Sequence, residues 1–142
     1  MHVLVADDDA GTRLVLRRML TQRLACTVTE CVDGMRALAC ISSEPFDLIL
    51  LDIEMPALSG IQIVEMMRDA GTLSRQPVVM ITSDSRAEVV QHLLTLGVAD
   101  FVVKPLRADA LVEKLGRIQA RRAPVPAAAT PGCAPSARNA SI

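Results

Sequence analysis

The sequence predicts an α/β fold, a doubly wound parallel sheet of five strands, and two observations carry this prediction. Short apolar runs recur along the chain, and they alternate with longer segments in which apolar residues recur at helical spacing. Several of the short runs are apolar throughout, which is typical of strands that are covered on both faces. Strands separated by helix-length segments pair in parallel through right-handed crossovers, so we expect an open sheet with helices on both faces.

Each element can be placed from this alternation. The strands are predicted at His2–Ala6, Thr27–Cys31, Leu48–Leu51, Val78–Ile81 and Phe101–Val103. The helices are predicted at Thr12–Arg23, Gly34–Ile41, Ile61–Met67, Arg86–Leu96 and Asp109–Arg121. Gly97 is a candidate C-cap, and Asp9 is well placed to cap the first helix.

Composition limits the classes of function. The net charge of −1 gives no general attraction to nucleic acid or to anionic lipid, so we expect neither partner. The sequence contains no apolar stretch near 20 residues and no signal-peptide pattern, so we expect a cytoplasmic protein. The cysteines show no zinc-ligand spacing and no disulfide framework, and we interpret them as small apolar residues in a reducing compartment; they are Cys26, Cys31, Cys40 and Cys133.

The chain divides near residue 122. Residues 1–122 carry the alternating pattern and are predicted to form one domain. Residues 123–142 are rich in Ala, Pro and Ser and lack an apolar period, so we expect a flexible tail or linker there.

Acidic residues follow the first predicted strand. In a parallel sheet of this kind, functional groups gather at the carboxyl ends of the strands, near the switch in strand order. The first strand ends in Asp7-Asp8-Asp9, and three adjacent carboxylates repel each other unless solvent or a cation neutralises them. Capping explains Asp9 but leaves Asp7 and Asp8 unexplained. Clustered carboxylate oxygens of this kind suit Mg²⁺.

The third, fourth and fifth strands end at Asp52, Thr82 and Lys104. A carboxylate directly after a buried strand can attack phosphorus, although an Asp at a strand end is more often a turn residue. Capping of the next helix suits Ser83 or Asp84, which leaves the Thr82 hydroxyl free to point into the rim of the sheet. Lys104 is either a snorkelling surface residue or a counter-charge to the acidic group.

Each of these residues is ambiguous alone, but their joint placement at one rim of the sheet is not. Together they supply a metal site, a nucleophile and donors for a developing anion, which is the equipment of phosphoryl transfer. Pro105 follows Lys104 directly, and we expect the bond between them to be cis.

The motifs at these strand ends resemble those of bacterial response-regulator receiver domains of the chemotaxis type. They occur in order over about residues 2–120, and they are Asp7-Asp8, Leu51-Asp52 with Met55-Pro56 and Gly60, Ile81-Thr82-Ser83, and Phe101-Val102-Val103-Lys104-Pro105. The resemblance implies a flavodoxin-like sheet with the strand order 2-1-3-4-5.

The resemblance also implies a role for each site residue. Asp52 is then the phospho-acceptor, and the ligands of Mg²⁺ (or Mn²⁺) are Asp7, Asp8, Asp52 and the backbone carbonyl of Glu54. Thr82 is the hydroxyl that moves onto the phosphoryl group, Lys104 is its ion-pair partner, and Phe101 is the switch aromatic. Glu54 and Asp84, two residues after Asp52 and Thr82, are predicted to tune how easily water attacks the phosphoryl group.

Partners follow from the same resemblance. The phosphoryl donor is a histidine kinase or a histidine phosphotransfer protein, and a downstream protein binds the face of the fourth helix, fifth strand and fifth helix. A homodimer on phosphorylation is one option. The domain assists its own phosphorylation and dephosphorylation but is not otherwise an enzyme, and it acts alone or as part of a longer regulator.

Three alternatives compete with this interpretation. A receiver fold can serve as an interaction module that is never phosphorylated. A haloacid-dehalogenase-type phosphatase also uses Asp, Mg²⁺, Thr and Lys, but its nucleophile lies on the first strand and it normally carries a cap domain. A flavodoxin-like flavin carrier needs a phosphate-binding loop after the first strand, where Asp7-Asp8-Asp9 would repel phosphate.

Overall fold

A computed structural model of the chain describes residues 1–122. Five strands and five helices alternate along it. The strands are β1 (His2–Ala6), β2 (Thr27–Cys31), β3 (Leu48–Asp52), β4 (Val78–Thr82) and β5 (Asp100–Val103). The helices are α1 (Ala10–Arg23), α2 (Gly34–Ser43), α3 (Gly60–Asp69), α4 (Ala87–Leu96) and α5 (Ala108–Arg122). The predicted elements are therefore confirmed, with ends that differ by at most two residues.

The five strands form one sheet in the order β2-β1-β3-β4-β5, and every neighbouring pair is parallel. This confirms the flavodoxin-like α/β fold. Strand order reverses beside β1, which pairs with both β2 and β3. The register aligns Ala6 with Leu51, and Asp52 with Ile81, so the carboxyl ends of β1, β3 and β4 lie at one edge. The functional residues are expected at that edge.

The two faces of the sheet bury different side chains because strand residues alternate between them. One face packs against α2, α3 and α4 in a core whose strand residues include Leu4, Ile49, Leu51, Val78 and Met80. Val3, Val5, Leu50, Val79 and Ile81 alternate with these and are also buried. Helix α1 packs on β1 and β2 through a buried stripe of Leu16, Met19 and Leu20. The core is aliphatic, as the near absence of aromatic residues requires.

The chain divides into two compact units, and the first is Met1–Ala108. The second begins at Asp109 and contains nearly all of α5, in which Leu111, Leu115 and Ile118 are buried at helical spacing. The predicted tail at residues 123–142 lies outside the described residues, so the predicted domain boundary stays a prediction. Within residues 1–122, no helix has both the length and the apolar character that a membrane span requires.

Helix ends follow their capping chemistry. The Asp9 carboxylate accepts hydrogen bonds from the backbone and hydroxyl of Thr12, which confirms it as the N-cap of α1. Gly97 ends α4 in the left-handed region at φ 99°, which confirms the predicted C-cap. The peptide bond between Lys104 and Pro105 is cis, as predicted.

Candidate functional site

Four polar residues mark the carboxyl ends of four strands. Asp7 follows β1, Asp52 ends β3, Thr82 ends β4 and Lys104 follows β5. Asp7, Asp52 and Thr82 are buried at 0%, 4% and 3% exposure, which is unusual for residues that carry charge or a hydroxyl. The fold therefore brings together the group that the sequence predicts. Asp52 ends the third strand and not the first, which contradicts the phosphatase alternative.

Three carboxylates converge at this edge. One oxygen each of Asp7, Asp8 and Asp52 lies within 4.8 Å of the others, with Asp8 exposed and the other two buried. Asp7 Oδ1 accepts a hydrogen bond from the backbone N–H of Asp9 at 2.9 Å. Within residues 1–122, Asp7 Oδ2 is buried and accepts no hydrogen bond. A buried oxygen without a donor, facing two further carboxylates, fits a hard divalent cation such as Mg²⁺.

Lys104 supplies positive charge to the same group. Its Nζ lies 3.3 Å from Asp7 Oδ2 and 3.6 Å from Asp52 Oδ2. The contact with Asp7 is an ion pair. Burial opposes the charge on Lys104, but Asp52 and Asp7 outweigh it and hold the pKa of Lys104 above its usual value. Lys104 is therefore a charged partner of the cluster, as predicted, and not a snorkelling surface residue.

The surroundings of Asp52 change its acidity. Burial, reinforced by the neighbouring charge of Asp7, raises the pKa of Asp52 from 3.8 to about 6. Lys104 and the backbone of Glu54 oppose this rise in part. The carboxylate is thus ionised at neutral pH, although burial makes its charged form less stable than it would be in water. A buried carboxylate of raised basicity is a better nucleophile than an exposed one.

The end of β4 differs from the prediction. The Thr82 hydroxyl accepts from the backbone N–H of Asp84 at 2.9 Å and lies 3.3 Å from the Asp84 carbonyl, so it is held in a local turn. Neither Ser83 nor Asp84 caps α4, and that prediction was wrong. The N-cap is Arg86, which makes no side-chain capping bond. Asp84 turns instead towards Arg86, accepting from its backbone and forming a two-pronged pair with its guanidinium at 2.7–3.0 Å.

A glycine lets α3 begin directly beside Asp52. Gly60 opens α3 and donates its backbone N–H to the Ile53 carbonyl at 3.0 Å. A Cβ at Gly60 would overlap the backbone carbonyl of Asp52 and lie 2.9 Å from Met80 Cε. The glycine within the quoted motif is therefore required by close approach and fixes the loop after Asp52.

The family whose model matches the chain is the response regulator receiver domain, and the match spans residues 3–116. The chain belongs to the response-regulator receiver family. It is therefore a receiver domain of two-component signalling, a family of signalling domains. The receiver resemblance seen in the motifs is confirmed.

Individual relatives agree with this receiver assignment. Chemotaxis protein CheY-3 of Vibrio cholerae is 31% identical over 118 residues, covering 83% of this chain and 91% of CheY-3. The Francisella response regulator 1452 receiver domain matches with a TM-score of 0.80 and 27% identity, covering 86% of this chain and 98% of that one. The receiver domain of the sensor histidine kinase PA1611 from Pseudomonas aeruginosa, with a magnesium ion coordinated in its active site cleft, matches with a TM-score of 0.72 and 26% identity. The match to PA1611 covers 82% of this chain and 94% of that one.

Two further residues, Glu54 and Phe101, have predicted roles in the receiver, and the Glu54 backbone is hydrogen-bonded to Asp52. Glu54 is exposed, two residues after Asp52. Phe101 is half-buried in β5 and packs against the core, and it pairs with Met80, two residues before the end of β4. The predicted roles of the Glu54 carbonyl in metal binding and of Phe101 in switching stay predictions.

One residue of the receiver site was missed from the sequence. Arg13, in the first turn of α1, donates from Nη1 to the Asp7 backbone carbonyl at 2.7 Å and pairs with Glu30 of β2 at 3.4 Å. It braces the backbone that carries Asp7. Its position six residues after Asp7 gave no signal, because a basic residue on an amphipathic helix is ordinarily solvated.

Proposed function

We propose that the protein accepts a phosphoryl group on Asp52, in the presence of a divalent cation held by Asp7, Asp8 and Asp52. The observation that carries the proposal is the three-carboxylate cluster, two of whose members are buried, with Lys104 Nζ within 3.6 Å of those two. A structural ion pair needs only one acid and one base. Three clustered carboxylates beside one lysine leave an excess of negative charge that a cation would neutralise.

The donor is a histidine kinase or a histidine phosphotransfer protein, by the receiver resemblance. One oxygen of the Asp52 carboxylate forms the new O–P bond as the N–P bond to the donor imidazole breaks, and the imidazole then takes a proton. When bound, Mg²⁺ (or Mn²⁺) neutralises the carboxylates and the phosphoryl oxygens. Lys104 lies beside Asp52 and pairs with one of those oxygens, which stabilises the charge that develops there.

Thr82 receives a second phosphoryl oxygen. Its hydroxyl is occupied by the local turn with Asp84, so bonding to the phosphoryl group requires the loop after β4 to move. Phosphorylation adds about −1.5 to −2 charge at this edge, which draws both Thr82 and Lys104 inward. We propose that α4 and β5, with Phe101, change conformation in response and bind a downstream protein; the extension of this surface to α5 comes from the resemblance alone. The size of the shift is limited by the contacts that the phosphoryl group makes in each state.

Two carboxylates, of the exposed Glu54 and the half-buried Asp84, are proposed to set the lifetime of the phosphoryl group. Glu54 and Asp84 each lie two residues after a site residue, Asp52 and Thr82, and the Asp84 carboxylate is paired with Arg86. Glu54→Ala and Asp84→Ala should each change the rate of dephosphorylation, measured by the decay of the phosphorylated mass. Unchanged rates in both variants would remove these residues from the mechanism.

The proposed cellular setting is the cytoplasm, where a phosphohistidine donor of this class acts. We also propose, as a second point, that the protein forms a homodimer on phosphorylation. Sedimentation of the protein with and without beryllofluoride measures the second point. A sedimentation coefficient that does not change would leave a monomeric receiver.

Acetyl phosphate with MgCl₂ tests the phosphoryl acceptance directly. We expect intact mass spectrometry to show one added phosphoryl group in the wild type and none after EDTA. Asp52→Asn should abolish the addition, whereas Asp69→Asn, at an exposed carboxylate at the end of α3, should leave it unchanged. Labelling that persists in Asp52→Asn would contradict the assignment of the acceptor. A wild type that is never labelled would favour the interaction module that is not phosphorylated.

A further inference from the structure

Two cysteines that are nine residues apart in the sequence, on a strand and on the helix that follows it, lie side by side in the fold. Cys31 ends β2 and Cys40 lies on α2, and their Sγ atoms are 3.6 Å apart. Both are free thiols. A disulfide has an S–S distance of about 2.05 Å, so the two sulfurs need to approach by only about 1.5 Å.

We propose that Cys31 and Cys40 form a reversible intramolecular disulfide on exposure to a hydroperoxide, and that this disulfide weakens the cation site of the receiver. The first half of the proposal rests on the two thiols alone. The second half rests on the proposed function, because it concerns the affinity of the acidic cluster for Mg²⁺.

The order of the chemistry follows from exposure. Cys40 is half-buried and reachable, whereas Cys31 is 3% exposed and its burial raises its pKa to about 12. The Cys40 sulfur therefore attacks the peroxide first; the O–O bond breaks, giving a sulfenic acid and an alcohol, or water when the oxidant is hydrogen peroxide. The Cys31 sulfur then displaces the sulfenic oxygen, which leaves as water with the proton of Cys31. In sum, two thiols and one hydroperoxide give one disulfide, one alcohol and one water, and a thiol reductant reverses the change.

The dithiol is joined to the acidic cluster through two short backbone paths. The Cys31 carbonyl accepts a hydrogen bond from the backbone N–H of Asp7 at 3.2 Å. Three residues beyond Cys31, Gly34 opens α2 so close to the Leu58 carbonyl that a Cβ there would overlap it. Leu58 belongs to the loop that follows Asp52. Drawing α2 and the end of β2 together therefore perturbs the backbone on both sides of the cation site.

Cys26 is the natural control within the described chain. It is also buried, at 7% exposure, but its sulfur contacts the Leu24 carbonyl at 3.6 Å and no second thiol. Cys133 lies outside the described residues, and a Cys133→Ser background removes it from the count of thiols.

The first experiment treats the full-length Cys133→Ser chain with hydrogen peroxide, blocks the remaining thiols with N-ethylmaleimide and measures the intact mass. We expect the loss of two alkylatable thiols, a cross-linked peptide joining residues 31 and 40, and full reversal by dithiothreitol. Adding Cys26→Ala should leave this result unchanged. It also removes an ambiguity, because Cys26 and Cys31 lie on the same proteolytic peptide and the cross-link could otherwise be assigned to either. Three alkylatable thiols after oxidation, or a cross-link through Cys26, would overturn the proposal.

Single variants test the order of the steps. Cys40→Ala should leave Cys31 unoxidised, and Cys31→Ala should leave a sulfenic acid on Cys40 that dimedone traps. Dimedone labelling of Cys31 in the Cys40→Ala variant would contradict the assigned order. The wild-type cross-link does not depend on the folding of either variant.

The second experiment titrates Mg²⁺ into the reduced and the oxidised protein by calorimetry, since the chain has no Trp or Tyr to report binding. We expect weaker binding by the oxidised protein, and equal affinities would overturn the regulatory half of the proposal. If the reduced protein bound no Mg²⁺, the proposed function would fail, while the mass measurement would still decide whether the disulfide forms.

Discussion

The two halves of the receiver site are built differently. The acid half comprises Asp7, Asp8 and Asp52 at the ends of β1 and β3, and two of its three members are buried at 4% exposure or less. The response half comprises the end of β4 and the start of α4, where the Thr82 hydroxyl is bonded within its own turn and Asp84 pairs with an exposed Arg86. The acid half is held by the core, whereas the Asp84–Arg86 pair of the response half is a contact that water can replace.

Helix capping separates the same two halves. The helices α1, α2 and α3 begin at Asp9, Asp33 and Ser59, and each of these side chains accepts a hydrogen bond from its helix. Helix α4 begins at Arg86 without a side-chain cap. An uncapped first turn costs a helix stability, and elements that move are drawn from the less stable parts of a structure. Under the proposed function, this asymmetry places the phospho-acceptor on the better-capped side and the response on the less stable side.

The largest expected effect on stability comes from a substitution at Gly60, where α3 approaches the backbone of Asp52. In Gly60→Ala the new Cβ overlaps the Asp52 carbonyl, a backbone atom of a central strand that cannot rotate away. We expect the free energy of unfolding to fall by about 2–4 kcal/mol in urea denaturation. The matched control is Gly116→Ala in α5, where a Cβ has no neighbour within 4 Å. That variant should gain about 0.5–1 kcal/mol from helix propensity, and equal losses in both variants would contradict the close approach at Gly60.

A smaller effect comes from relieving the charge in the acid half. The pKa of Asp52 in the folded protein lies above its ordinary value of 3.8, so the ionised carboxylate opposes folding at pH 7. Without metal, Asp52→Asn should therefore raise the free energy of unfolding by about 1–2 kcal/mol at pH 7. The advantage should shrink as the pH falls through about 6 towards 4, because the wild-type carboxyl then becomes protonated.

Denaturation in EDTA at pH 7 and at pH 4.5 measures this difference. An advantage that grew on acidification would mean that Asp52 is stabilised as a carboxylate in the folded protein, which is the opposite of the cause assigned above.

The smallest effects come from removing the N-cap of α3 and adding one to α4. Ser59→Ala removes the capping box of α3, in which Ser59 and Gln62 satisfy each other's backbone groups, and should cost about 1 kcal/mol. Arg86→Ser supplies the missing cap to α4 and should slow amide exchange in its first turn. If Arg86→Ser left that exchange unchanged, the absence of a cap would not explain the weakness of the response half.

Most of the fold, and the residues of the acid half of the site, could be predicted from the sequence. Continuous apolar runs located the strands, and the strand-end rule then placed Asp7, Asp52, Thr82 and Lys104 at one edge without knowledge of any distance. The response half was predicted less well, because Ser83 and Asp84 both suit a cap and the sequence cannot show that Asp84 pairs with Arg86 instead.

Side-chain contacts between different elements could not be predicted from the sequence either. Arg13 against the Asp7 carbonyl and Cys31 against Cys40 depend on side-chain directions that no local pattern encodes. A motif search reads residues that are adjacent in sequence. Contacts made across a strand and a helix become visible only when the fold is known.

Hydrogen exchange with and without beryllofluoride and MgCl₂ tests the central claim most directly, namely that Asp52 accepts the group and the end of β4 responds. Beryllofluoride stands in for the phosphoryl group on the Asp52 carboxylate. We predict changed exchange in the loop after Thr82 and the first turn of α4, with β1 and β3 unchanged, and no change anywhere in Asp52→Asn. Changes that spread evenly over the sheet, or that persist in Asp52→Asn, would contradict the account.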